Sequence, residues 1–280
     1  MKCRKCAHAQ DWKDMIKDIT IGQYYQAESI IHRLDPRVKL MGTLVFIISL
    51  FLGINIWIYA FVTVALAAVI AISKIPLKFM VRGLKSIVIL IIISAVFNLF
   101  LTPGETLIQI WKLTITYEGL KTAIFMVVRL VYLILGTSLM TLTTTPNNLT
   151  DGLEKGLGFL KYIKVPVHEI AMMMSIALRF IPILVEETDK IMKAQMARGA
   201  DFENGNIIKR AKAMVPILVP LFVSAFRRAN ELAMAMEARC YHGSEGRTKM
   251  KPLKYAKRDK IAYLCMFVYL GVLILIKIFV

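Results

Sequence analysis

Residues 40–73 read LMGTLVFIISLFLGINIWIYAFVTVALAAVIAIS, without a charged side chain. As a single helix rising about 1.5 Å per residue, this run would be roughly 50 Å long, whereas the hydrocarbon core of a bilayer is about 30 Å thick. Near its middle, Gly53-Ile54-Asn55 is typical of a turn. The stretch therefore predicts two membrane helices joined by a short connection.

The composition of the 280-residue chain agrees with a membrane protein. Hydrophobic residues make up 57% of it and its net charge is +17, whereas soluble domains are about 45–50% apolar. The apolar content excludes a disordered chain, and four cysteines are too few for a disulfide scaffold. The long charge-free runs argue against a soluble nucleic-acid binder. The remaining possibility is a protein whose apolar runs lie in the lipid bilayer and whose charged residues lie in the connecting loops.

Three further apolar runs extend the pattern. They cover residues 86–101, 119–142 and 261–280. Each approaches the roughly 20 residues that a membrane-spanning helix needs. The sequence thus predicts an all-α polytopic membrane protein with about five transmembrane helices.

The connections between these runs differ in charge. Lys and Arg crowd residues 1–39 and the connection 74–85, whereas the connections 53–55 and 102–116 are nearly free of bases. Because basic loops stay in the cytoplasm, we expect the N-terminus and residues 143–260 on the cytoplasmic side and the C-terminus outside.

The segment after residue 143 is too long for a loop and too apolar for a soluble tail. Thr145-Pro146 predicts the start of an amphipathic helix, with Thr as N-cap and Pro in the first turn. Two long helices, 167–198 and 206–239, follow. Each is apolar over part of its length and charged over the rest. A transmembrane hairpin made by these two helices is an open alternative, because it would preserve the orientation of every other span.

The two long helices end alike. One closes with Ala197-Arg198-Gly199 and the other with Ala238-Arg239-Cys240, an arginine between small residues in both cases. An arginine near a helix C-terminus is commonly there because it interacts favourably with the helix dipole. The alternative is docking, since the planar guanidinium suits a carboxylate on another protein and small neighbours allow close approach.

At this point the chain resembles the transmembrane coupling component (T component, EcfT-type) of energy-coupling factor ABC transporters. The resemblance runs from about residue 32 to residue 242 and rests on five separated motifs in the same order. They are HRLDPRVKL at 32–40, TTP at 144–146, LRFIP at 178–182, AQMARG at 194–199 and AMEAR at 235–239.

The resemblance assigns roles to these motifs. It implies that both arginine triplets contact ATPase subunits, that the apolar middles of both long helices support a substrate-binding partner, and that two further motifs are structural. The ATPase contacts would be Ala197, Arg198, Gly199, Ala238, Arg239 and Cys240; the partner contacts Met173, Met174, Ala177 and Ile181; the structural residues Asp35, Pro36, Arg37, Arg179 and Pro182. Cys240 departs from the expected glycine, but the central arginine carries the argument.

The function implied by the resemblance is mechanical coupling in a prokaryotic plasma membrane. Two cytoplasmic ABC-type ATPase subunits would move the long helices, called coupling helices. These would move a small substrate-binding membrane protein (S component) that takes up a vitamin or other micronutrient. The chain itself would be no enzyme, since it lacks a phosphate-binding GxxxxGK[ST] loop and other catalytic motifs, and would need no cofactor or metal. A membrane-embedded enzyme and a self-contained carrier are the alternatives.

The predicted organisation has five parts. They are a cytoplasmic N-terminal segment (1–35), a four-helix transmembrane region (36–142), a cytoplasmic coupling-helix region (143–242), a basic linker (243–260) and a C-terminal transmembrane helix (261–280). Within the transmembrane region, Arg129 is expected to pair with a backbone carbonyl or with Asn98. Cys3, Cys6 and His8 are too few ligands for a structural zinc site.

Overall fold

The computed structural model describes residues 24–53, 55–103, 106–110, 113–200, 207–243, 250 and 252–279. These residues are overwhelmingly α-helical, which confirms the predicted all-α polytopic fold class. They divide into two compact units. The membrane-helix unit comprises the described residues of Gly22–Gly156 and Leu253–Val280, and the paired-helix unit comprises those of Leu157–Pro252. Cys3, Cys6 and His8 thus lie outside the described residues.

The apolar run at residues 40–73 contributes to two helices, α1 (Pro36–Ser49) and α2 (Ile56–Ser73), on either side of the predicted turn. Asp35 caps α1 by accepting the backbone N–H of Arg37 at 2.9 Å, and Pro36 is the first residue of the helix. However, α1 has only 14 residues and is about 21 Å long, so by itself it falls short of the bilayer core.

The next helix, α3 (Leu77–Leu101), begins earlier than its apolar run. It bends by 57° between Phe79–Lys85 and Ile87–Leu101, where the charged connection gives way to the predicted span. A short antiparallel hairpin, β1 (Thr106–Ile110) and β2 (Leu113–Thr116), follows and was not predicted.

A long helix, α4 (Tyr117–Thr143), follows the hairpin at the predicted position. Its N-cap is Thr116, whose hydroxyl accepts the N–H of Gly119 at 3.1 Å.

The amphipathic helix is α5 (Pro146–Gly156), capped by Thr145 through the N–H of Asn148 at 3.4 Å. It lies against α1 so closely that a Cβ added at Gly152 would be 2.9 Å from Pro36 Cβ. The last helix, α8 (Lys257–Phe279), completes this unit. Leu50, Ile58, Val62 and Leu273 form a buried cluster between α1, α2 and α8.

The paired-helix unit contains a 3₁₀ turn (Gly158–Ile163) and the helices α6 (Val167–Ala197) and α7 (Ile207–Glu237). Both predicted helices are thus present with nearly the expected bounds. Each continues through internal prolines, Pro182 in α6 and Pro216 and Pro220 in α7.

Four described helices are long and apolar enough to cross a membrane, namely α2, α4, α6 and α8, and the bent α3 makes a fifth if it is one span. The number agrees with the prediction, but the set differs. The helix α1 is too short, whereas α6, which was assigned to the cytoplasm, meets the criteria of length and hydropathy. The cytoplasmic position of α6 stays a prediction.

Candidate functional site

The first arginine triplet forms the end of α6. The helix closes at Ala197, Arg198 is the C-cap, and Gly199 follows with φ of +90°. The N–H of Gly199 donates to Met196 O and that of Ala200 to Gln195 O, each at 3.0 Å. This is a Schellman cap, in which a left-handed residue turns the chain and satisfies the last carbonyls.

The second triplet, at the end of α7, has the same cap. Cys240 adopts φ of +55°, its N–H donates to Glu237 O at 2.9 Å, and the N–H of Tyr241 donates to Met236 O at 3.1 Å. Cys240 therefore occupies the position of Gly199, although a side chain in this conformation costs about 1–2 kcal/mol. The substitution in sequence leaves the backbone geometry of the motif unchanged.

The helices that carry the triplets run antiparallel. Gln195 Nε2 donates to Pro216 O at 3.4 Å, and Arg228 Nη2 donates to Glu187 Oε2 at 2.9 Å. Extended to the helix ends, this pairing places Arg198 and Arg239 at opposite ends of the pair. At about 1.5 Å per residue they are on the order of 40 Å apart along the helix axes.

Both arginines are exposed, as are the small residues beside them. Within the part of the chain that the structure describes, neither Arg198 nor Arg239 forms an ion pair. Arg239 also borders a cavity of about 680 Å³ between the N-terminal half of α6 and the end of α7. It is lined by Met172, Ser175, Ile176, Leu232, Met236 and residues 239–243. Both arginine side chains are thus accessible at the surface of the paired-helix unit.

The residues predicted to contact a substrate-binding partner lie on the apolar half of α6. Met173 and Met174 are 58% and 50% exposed, Ala177 is exposed and Ile181 is half-buried. A second apolar surface lies on α7, in the stretch that was also predicted to support this partner. It consists of Val215, Leu218, Val219, Phe222, Val223 and Phe226, all exposed. Arg179 and Pro182, predicted as structural residues, are exposed on α6.

The motif Asp35-Pro36-Arg37 holds together chain segments that are far apart in sequence. The backbone N–H of Asp35 donates at 2.9 Å to Asp259 Oδ1, whose other carboxylate oxygen accepts the N–H of Ala256 at 2.7 Å. The guanidinium of Arg37 lies 5.0 Å above the ring of Tyr255. Asp259, which is 3% exposed, was missed, because its partner lies 224 residues earlier.

His32 packs beside this motif. Its Nε2 lies 3.0 Å from Tyr25 O and donates to this carbonyl, and its Nδ1 lies 2.7 Å from the Ser29 hydroxyl. Burial, and to a smaller extent the charge of Lys39, lower the pKa of His32 although the Tyr25 carbonyl opposes the shift.

The pairing expected for Arg129 is wrong. Its Nε donates to the hydroxyl of Tyr59 on α2 at 3.0 Å, and its guanidinium lies 5.0 Å above the Phe51 ring. Asn98 instead donates to Ser94 O in its own helix at 2.8 Å. An aromatic hydroxyl and ring therefore stabilise the charge within the apolar helices.

The fold and these surfaces define a polytopic helical membrane protein that presents two capped arginines on a pair of long helices. Residues 27–250 match the family described as Cobalt transport protein.

Relatives named energy-coupling factor transporter transmembrane protein EcfT align along almost the whole chain. The relative from Clostridium kluyveri is 57% identical, with 94% of this chain and 98% of its own length covered. The relative from Bacillus subtilis is 47% identical over 94% and 100%, and that from Lactococcus lactis subsp. cremoris 43% over 93% and 98%. The chain belongs to this family. It is a multi-pass plasma-membrane component of an energy-coupling factor transporter, as the motifs predicted.

Proposed function

We propose that the chain is the coupling subunit of an importer that takes up a vitamin or another micronutrient. Two cytoplasmic ABC-type ATPase subunits supply the movement, and a separate small membrane protein binds the substrate. The chain passes the movement from one to the other and hydrolyses no ATP itself. The N-terminus and the helix pair face the cytoplasm, and the C-terminus lies outside.

The observation that carries this proposal is the matched pair of arginine caps. Arg198 and Arg239 are presented by the same Schellman geometry, both are exposed, and they lie at opposite ends of one antiparallel helix pair. A favourable helix dipole alone requires neither the repeated cap nor the exposed small residues. Two equivalent docking points on one pair of helices suit two similar partners, one at each end.

The movement follows from this arrangement. An arginine fork binds a carboxylate through two parallel hydrogen bonds, which fixes direction as well as position. When two ATPase subunits close on ATP and later separate, each displaces the helix end that it holds. Because the helices are stiff, displacement of their ends changes the angle between α6 and α7 over their whole length.

The apolar surfaces supply the other contact. Met173, Met174 and Ala177 on α6 and the exposed side chains of α7 from Val215 to Phe226 are accessible in the paired-helix unit. An exposed apolar area of this extent marks a site for a protein or lipid partner, and methionines adapt to partners of different shape. We place the substrate-binding membrane protein on this surface.

The test is charge reversal at both caps, Arg198→Glu together with Arg239→Glu. Reversed charges repel the carboxylates that the arginines would bind, so co-purification with the ATPase subunits and substrate uptake are lost while membrane insertion is kept. Reversal of exposed lysines on the same helices, Lys190→Glu with Lys212→Glu, is the matched control and leaves uptake within about twofold. Normal uptake by the arginine double variant would falsify the assignment.

A further inference from the structure

Few of the described side chains on the paired helices are fully buried. Among the described side chains of α6 and α7, only Ala171, Ile217 and Ser224 are buried, and two of these three are small. Ordinary helix pairs are fixed by interlocking apolar side chains. Polar contacts therefore add to the half-buried apolar side chains in setting the relative position of α6 and α7.

A polar cluster provides one such contact. The carboxylate of Glu187 on α6 accepts a hydrogen bond from the Ser224 hydroxyl through Oε1 and from Arg228 Nη2 through Oε2, at 2.9 Å for the latter. Ser224 is 4% exposed, and the side chains of Glu187 and Arg228 are 21% and 37% exposed. We call Glu187, Ser224 and Arg228 the polar clasp.

The clasp lies about midway between the two arginine caps. Glu187 lies eleven residues before Arg198, and Arg228 lies eleven residues before Arg239. Because the helices are antiparallel and rise about 1.5 Å per residue, the clasp is roughly 16 Å from each arginine, in opposite directions along the pair. A contact midway between the two ends that partners would move is where a pivot is expected.

A second contact supports the same geometry. Pro220 has no N–H, so the carbonyl of Pro216 lacks its ordinary helical donor four residues later. The side chain of Gln195, in the last turn of α6, donates to this carbonyl at 3.4 Å. The proline in α7 thus frees an acceptor that the other helix uses close to the first arginine cap.

We propose that the polar clasp is the pivot of the helix pair, and that Glu187, Ser224 and Arg228 are positioning residues for energy coupling. The clasp keeps α6 and α7 in contact midway between the arginine ends while these ends move, so that displacement becomes a change of angle. Without it the helices slide, and ATP hydrolysis no longer moves the substrate-binding partner. This inference rests on the proposed function.

The experiment uses the whole transporter reconstituted in liposomes, with ATP hydrolysis and substrate uptake measured in the same preparation. Glu187→Ala still assembles and hydrolyses ATP within about twofold of wild type, but uptake per ATP falls at least tenfold. The exchange Glu187→Arg with Arg228→Glu restores at least a third of the wild-type ratio. Asp189→Ala is the matched control, because Asp189 pairs with Lys193 at 3.1 Å within α6.

Several results would overturn the proposal. They are a wild-type ratio of uptake to hydrolysis in Glu187→Ala, an equal loss in Asp189→Ala, or no recovery in the exchanged pair. Should Glu187→Ala not assemble, Ser224→Ala takes its place, since it keeps both charges; a ratio within twofold of wild type in that variant counts against the clasp. If the wild-type chain itself does not purify with ATPase subunits, it is the proposed function that fails.

Discussion

At the scale of single residues, Cys240 shows how a departure in sequence is absorbed by the backbone. It takes the left-handed conformation that Gly199 takes in the other cap, with the corresponding two hydrogen bonds. The cap therefore forms at some cost, because a Cβ in this conformation approaches the following carbonyl oxygen. The arginine before it is presented as in the first triplet.

Replacing this cysteine by glycine should tighten the second cap. Cys240→Gly removes the steric cost but adds freedom to the unfolded chain, which leaves a net gain of about 0.5–1 kcal/mol. Hydrogen exchange at the amides of residues 240 and 241 should slow about two- to fivefold. The reverse change, Gly199→Cys, should speed exchange at the first cap; unchanged exchange in both variants would contradict the shared geometry.

His32 makes the N-terminal motif sensitive to acid. Its pKa is lowered in the folded chain, so the unfolded chain binds the proton more strongly. The corresponding stabilisation is complete above the ordinary histidine pKa of about 6.5 and is lost as the pH falls below it. Thermal unfolding in detergent between pH 7.5 and 5 should show a decrease in Tm that is smaller in His32→Gln than in the wild type. An equal dependence of Tm on pH in the two proteins would disprove this role.

At the scale of helices, most helix starts and ends could be predicted from the residues near them. Asp35-Pro36 and Thr145-Pro146 each start a helix where the capping pattern predicts it, and both triplets lie at helix ends. The end of α1 could not be predicted in this way. Its apolar run continues to Leu52, yet the helix closes at Ser49, where the side chain contacts Tyr269 of α8 at 2.8 Å and Leu50 enters the buried cluster.

The contact between α5 and α1 can be tested with two glycines of one helix. Gly152→Ala places a Cβ 2.9 Å from Pro36 Cβ, on a rigid ring that cannot move aside, and should destabilise the chain by about 1–3 kcal/mol. Gly156→Ala, with nothing within 4 Å, should be neutral or slightly stabilising. Both effects can be measured as changes in melting temperature in detergent. Equal changes in the two variants would refute this close packing.

At the scale of the whole molecule, two docking points act together. Single variants Arg198→Glu and Arg239→Glu should each keep part of the uptake, because the remaining arginine holds the assembly and raises the local concentration of the other partner. Uptake and the amount of ATPase subunit that co-purifies should fall only partly in each single variant. In the double variant, both should fall by more than the sum of the two single losses. Complete loss in both singles would show that the ends do not cooperate by avidity.

Other features of the molecule arise only when distant segments meet. Asp259 reaches Asp35 across 224 positions, Arg129 reaches Tyr59 on another helix, and Glu187 reaches Arg228 on the facing helix. Each of these side chains has several possible partners of suitable charge or polarity in the sequence. Nothing in a local pattern distinguishes the true partner from the others.

Local patterns of residues were enough to predict the helical class, most helix bounds and the two arginine triplets, because apolar periodicity, caps and charge act within a few residues. It also indicated the family, through five short motifs kept in order. Tertiary structure alone decided the length of α1, the partner of Arg129, the role of Asp259 and the polar clasp. These depend on which surfaces pack together, and packing is a property of the folded chain as a whole rather than of any one segment.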